Sequence, residues 1–295
     1  MRNLRVRLVT GIFFYSVWAA SSLAHAQDKE DAWLPYCKRA VALSATRIAP
    51  HLPEDIKHLS KKVVVVPSAD FNAAAFGGNV FVSVGVCFEL ALIAEAWIYA
   101  YKTPEYLHHL QKYQMYLVSV RDRETQNPAL VPLNRKNFGG FVGKEFSPLA
   151  KEDLRIYEPL VLDGLAWLLA HEFGHHSLGH TQTPPTSSAN SKFRELKADD
   201  FAIDIFKKLS VEVGAGTGVL FQFLANSKAH PDYIKIGSHP RTECRLERLF
   251  RKLQYISKIE KDKVLRSRFE KGSGMTISEF KALMEEFYED CQDNP

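Results

Sequence analysis

The apolar and polar positions of this chain follow two periods in different regions. Residues 31 to 49 read as a helix that Pro50 and Pro53 break. Lys62 to Val66 is a β-branched run closed by Pro67, and Asn79 to Val84 alternates as a half-buried strand does. Between them, Phe71 to Gly78 ends in a double glycine that reads as a turn, so a small sheet is expected. From Phe88 the period becomes helical. It predicts helices over Phe88 to Tyr101, Pro104 to Val118, Glu158 to Leu178, Lys192 to Leu209, Val219 to Ser227, Arg241 to Ile259 and Ile277 to Cys291. Arg121 to Leu154, with Pro128, Pro132, Gly139, Gly140, Gly143 and Pro148, reads as a long loop, and Thr181 to Ser191 as a surface connection. The fold class expected is α+β, mainly α.

The first 26 residues read differently from the rest. Arg2, Arg5 and Arg7 precede an apolar stretch from Leu8 to Trp18, and small residues end in Ala24-His25-Ala26 before the polar Gln27. A basic start, an apolar run too short to span a bilayer and an A-x-A site are the parts of a cleavable signal peptide. The expectation is a signal peptide over 1–26, cut after Ala26, and one domain over 27–295 with its core at about 60–250 and a helical C-terminal part at 251–295. Localisation is then periplasmic or secreted. Gln27 in place of Cys speaks against a lipid-attached terminus. No run after Gln27 is read as a transmembrane segment.

Charge and cysteines narrow the class. Removing the three leader arginines from 38 Lys and Arg leaves 35 against 34 Asp and Glu, which is no basic excess, so a nucleic-acid partner is not expected. Cys37, Cys87, Cys244 and Cys291 are even in number and form no C-x-x-C pair, so one or two disulfides are plausible in an exported chain, buried free thiols being the alternative. Four cysteines allow three pairings, and the sequence does not choose. Gly214-Ala215-Gly216-Thr217-Gly218 lacks the Lys-Ser/Thr of a phosphate-binding loop and reads as a turn.

Candidate chemistry concentrates in Leu169 to His180. His171 and His175 are four apart, so on a helix both imidazoles project from one face and can reach one ion. Glu172 sits beside the first, placed to hold a water rather than to ligate. This is the HExxH arrangement of zinc proteases. A catalytic zinc takes three protein ligands and keeps one position open. Twenty residues beyond His175, Glu195-Leu196-Lys197-Ala198-Asp199 lies in a second helical pattern. Antiparallel packing of the two helices would bring Glu195 to the metal. Asp199 shares that face and could accept the remaining N–H of a ligand imidazole. His176 faces away and reads as a surface or core residue, and His180 continues the His175 face only loosely.

These elements resemble the HExGHxxxxH…ExxAD signature of the gluzincin metallopeptidases of the HtpX, BepA and CAAX-prenyl-protease type. Asn72-Ala73, Gly77-Gly78 and the strand to Gly85 resemble that family's N-A-F…G-G segment, and Ser238-His239-Pro240 with Arg245-Leu246 its HPxxxxRL element. The resemblance implies a zincin-like domain whose HExxH helix packs on a second ligand-bearing helix. It implies one Zn2+ per chain on His171, His175 and Glu195, with Glu172 as general base. Asp199 would support a ligand, and His239 would stabilise the oxyanion or contact substrate. The exported, soluble BepA-like branch is closest in organisation.

The function expected is an exported zinc endopeptidase hydrolysing extended or misfolded protein segments, with envelope protein quality control as its setting and envelope proteins as partners. Asn79, Val80, Phe81, Val82, Ser83 and Val84, if at a sheet edge, would hold the substrate by main-chain hydrogen bonds. The alternative is a non-catalytic zinc-binding chaperone or envelope-assembly adaptor. A toxin-like protease with a single protein substrate would share the chemistry.

Overall fold

The computed structural model describes residues 30–68, 70–125, 135–209, 242–252, 254, 260–263, 266–267, 270 and 276–293. The expected signal peptide, the 219–227 helix and His239 lie outside them.

The chain starts with α1 (Glu30–Ile48) and a short α2 (Glu54–Lys57), then enters a sheet of β1 (Val63–Val66), β2 (Ala73–Phe76) and β3 (Asn79–Ser83). The strand order is β1-β3-β2. β1 runs parallel to β3, with Val63 opposite Val80, while β2 and β3 form an antiparallel hairpin with Phe76 opposite Asn79. The hairpin loop is Gly77-Gly78, at φ +58° and +77°. Two successive left-handed residues match the twist of the strands, and glycine takes that conformation without steric cost. The double glycine is therefore a turn as expected. The segment before it is an extended strand, which its alanines did not reveal.

Helices supply the rest: α3 (Val84–Lys102), α4 (Leu107–Thr125), the five-residue α5 (Phe138–Val142), α6 (Lys151–Ser177), α7 (Ser188–Lys208), α8 (Thr242–Lys252) and α9 (Ile277–Asp293). α6 is the axis of the core, packed against α1, α3, α7 and β2. It starts seven residues before the expected Glu158 and carries Pro159 within it. Proline is favoured at a helix start, yet Pro159 lies inside this helix. Here the turns before it are held by burial of Leu154 and Tyr157 and by the Asp153 carboxylate accepting from the Ala150 N–H at 2.9 Å. The expected long loop of 121–154 shrinks accordingly, since α4 reaches Thr125 and α5 lies inside it.

α3 is longer than the expected helix over Phe88 to Tyr101. By length and composition it could cross a membrane, with a mean hydropathy of 1.5 over an 18-residue window. That window is 83% buried within the protein, against α1, α6 and the sheet, so its hydropathy is spent on the core. The cysteines are also settled: Cys37–Cys87 ties α1 to α3, and Cys244–Cys291 ties α8 to α9.

Two acids of α3 enter that core. Glu89 pairs with Arg135, both side chains fully buried. Glu95, 8% exposed, lies among Tyr99, Tyr113 and Tyr157, and burial pushes its carboxyl up to about 7. From the ordinary 4.5 to about 7 the unfolded chain releases this proton while the folded one keeps it. Stability therefore falls as pH rises through that window, and the penalty is complete above it. Glu95→Gln is expected to raise stability at pH 8 by up to about 3 kcal/mol, with the gain fading to near zero at pH 4. Urea melts of both proteins across that range measure it.

Candidate metal centre

The centre is built where α6 and α7 come closest. Gly174, one position before His175, faces α7, and a Cβ there would lie 3.1 Å from the Cα, and equally from the carbonyl oxygen, of Ala198 and 3.1 Å from Phe201 Cβ. That contact is tighter than ordinary packing allows, so a hydrogen at this position is what lets the helices touch. α7 starts at an N-cap, the Ser187 hydroxyl accepting from the Asn190 N–H at 3.1 Å. Glu195 and Asp199, four residues apart on α7, then both face α6.

The result is a cluster of three donors. His171 Nε2 lies 3.1 Å from Glu195 Oε2 and 3.1 Å from His175 Nε2, and His175 Nε2 lies 3.4 Å from Glu195 Oε1. One ligand atom from each residue falls within 4.8 Å of the others, a set that could hold a metal ion. Two imidazoles and a carboxylate suit a divalent cation of borderline softness.

Each imidazole is also gripped from behind. His171 Nδ1–H donates to Asp199 Oδ1 at 2.9 Å. Arg245 of α8 clamps the same carboxylate with two bonds, Nε to Oδ2 and a terminal guanidinium nitrogen to Oδ1, both 2.7 Å. Burial alone would raise the Asp199 carboxyl; Arg245 and His171 outweigh it and hold it at about 2. Burial likewise works against a charged His171, yet its bonds to Asp199 and Glu195 lift it to about 10. A cation bound here would compete with that proton.

His175 has a different partner. α6 ends at Gly179, φ +70°, with the Gly179 N–H bonded to His176 O at 3.1 Å and the His180 N–H to His175 O at 2.9 Å. This paired C-terminal cap folds His180 back over the last turn. Its Nδ1 comes 3.0 Å from His175 Nδ1. Burial, then the neighbouring His175, hold His180 down at about 4, so near neutral pH it is uncharged and can accept from His175. His180 is thus more than a helix stop, and the signal for it was the Gly179 cap one residue before it.

Glu172 is 7% exposed, and burial raises its carboxyl pKa. It accepts a hydrogen bond from the Ala75 N–H, on the edge strand β2. The hairpin is pinned to α6 a second time by His176, whose Nε2–H donates to Asn79 O at 2.8 Å. His176 therefore faces the sheet rather than solvent.

One expected set changes place. Asn79, Val80, Phe81, Val82 and Ser83 form the central strand, paired on both sides, so their main-chain groups are committed to neighbours, and Val84 is the first residue of α3. The sheet edge beside Glu172 is β2. His239 lies outside the described residues, while Arg245 of the same HPxxxxRL element reaches the centre through Asp199.

Residues 86–263, more than half of the chain, match the family described as Peptidase U49. The chain belongs to the Peptidase U49 family. Its matched span carries every donor of the cluster, Glu172, and the Arg245 clamp, and leaves out the hairpin that bonds Glu172. Neither the comparison with curated proteins nor that with solved structures finds a match. For this U49 peptidase, Gly174→Ala is expected to force α6 and α7 apart, lowering stability by about 1–3 kcal/mol and weakening divalent-cation binding. Thermal melts with a metal titration check both effects.

Proposed function

We propose that this chain is a zinc-dependent endopeptidase of the gluzincin type, exported, and acting on extended or misfolded segments of envelope proteins. The observation that carries this reading is the pairing of a three-donor cluster with a buried carboxylate, Glu172, on the adjacent helical position and beside a sheet edge. A structural zinc site is closed by four ligands, commonly sulfur, and has no use for such a carboxylate. All four cysteines are taken up in disulfides, and none is among the three donors. The likeness to the HtpX, BepA and prenyl-protease type supports the same assignment. So do the basic-apolar-small leader and the two disulfides for export into an oxidising compartment.

In this reading His171, His175 and Glu195 hold the zinc. When bound, zinc polarises a carbonyl and lowers the pKa of water toward about 7. Glu172 takes a proton from the attacking water on its carboxylate and hands it to the leaving amine nitrogen. Burial favours this exchange, since it raises the proton affinity of the carboxylate. Asp199 and His180 fix the tautomers of the two imidazoles by occupying their outer nitrogens. The edge of β2 offers main-chain groups to an extended substrate, a mode that reads backbone more than side chains.

Glu172→Gln is expected to keep zinc and lose cleavage of an unfolded protein such as casein by a factor of about 10² to 10⁴. Glu195→Ala is expected to lose the metal by elemental analysis. Full proteolysis by Glu172→Gln, or proteolysis indifferent to a chelator, overturns the assignment.

A further inference from the structure

The helix that carries Arg245 is not part of the α6–α7 pair that carries the donors. α8 stands behind α7, and its cations at positions 245, 248 and 252 share one face. Arg245 forks onto Asp199 at 2.7 Å through both bonds. Arg248 forks onto Asp200 at 2.7 and 2.6 Å, and Lys252 adds a third contact at 2.5 Å. Arg245 is 8% exposed and Asp199 1%. Asp199 Oδ1 is a shared atom, accepting from Arg245 on one side and from His171 Nδ1 on the other.

α8 is itself held by α9. Phe250 meets Phe280 edge-on at 5.4 Å, the Arg251 guanidinium lies 4.8 Å from the Tyr288 ring centre, and Cys244 is bonded to Cys291. Cys244 immediately precedes Arg245, so the covalent link fixes the backbone from which the guanidinium reaches Asp199. An eleven-residue helix with a charged face gains little order by itself, and its position depends on such ties.

We propose that α8 and α9 form a redox-dependent brace on the metal centre. Arg245 is a positioning residue that sets His171 through Asp199, and the Cys244–Cys291 disulfide keeps Arg245 in place. The centre then reaches its full affinity for a divalent cation only in the oxidised chain. Reduction by a dithiol delivers two electrons and two protons to the two sulfurs, giving two cysteine thiols, while the dithiol closes to its own disulfide. A peptidase built this way would have a weakened centre until it meets an oxidising compartment. The inference rests on the zinc reading of the cluster.

The test is zinc affinity of the full chain, by competition with a chromogenic chelator, alongside circular dichroism of the metal-free protein. Arg245→Gln is expected to weaken zinc binding about 10- to 100-fold. The Cys244→Ser/Cys291→Ser pair is expected to weaken it in the same direction, and the combined variant no further than Arg245→Gln alone, because both changes act on one chain of contacts. Cys37→Ser/Cys87→Ser, which leaves the α8–α9 link intact, is expected to bind zinc as the wild type does. In that background a dithiol should reproduce the Cys244→Ser/Cys291→Ser loss and reoxidation should restore it. If Arg245→Gln does not fold, the dithiol arm decides. Zinc binding unchanged by loss of Cys244–Cys291, or losses that simply add, overturns the brace and leaves the metal centre standing. A wild-type chain that takes up no zinc overturns both.

Discussion

The centre depends on how closely two helices approach. Gly174 puts a hydrogen where any other residue would put a carbon 3.1 Å from the Ala198 backbone, and α6 and α7 meet there. With that contact made, the helical period does the rest: His171 and His175 on one side, Glu195 and Asp199 on the other, each pair four residues apart. Two imidazoles and a carboxylate, all on helices among the described residues, converge within 4.8 Å. A site on two packed helices has little freedom to relax, which suits a group that must hold a cation and leave room for a reactant.

The two imidazoles are supported in unlike ways. His171 is backed by a carboxylate that is itself neutralised by a buried guanidinium, and His175 by an uncharged imidazole brought round by a helix cap. The first arrangement carries charge into the interior and satisfies it with paired hydrogen bonds, so it tolerates burial only while Arg245 is present. In the second the backing group, His180, is uncharged near neutral pH. Glu172 stands between this framework and the sheet, bonded to Ala75, while His176 ties the same hairpin to α6. The hairpin, Glu172 and the donor helix are therefore tied to one another.

Much of this could be read from the chain. The i, i+4 histidines, the double-glycine turn and the second helix with Glu195 and Asp199 follow from local spacing, and the structure brings the four side chains together. The condition that Asn79 to Val84 lie at a sheet edge fails because Ala73 to Phe76, which carries no β-branched residue, pairs with β3 as a further strand. α6 begins at Lys151, ahead of the expected Glu158, and α3 is long and apolar enough to cross a membrane although Glu89 and Glu95 lie within it.

Sequence by itself determined what lies within one or two turns of helix or one hairpin: which side chains share a face, where left-handed glycines end an element, and that His171 and His175 are candidate ligands of one ion. The tertiary structure alone decided which strand is an edge, which cysteines pair, and that Arg245 closes on Asp199. These are contacts between segments far apart in the chain, and their selection depends on burial and charge pairing summed over the whole core. Local periodicity carries no record of that sum.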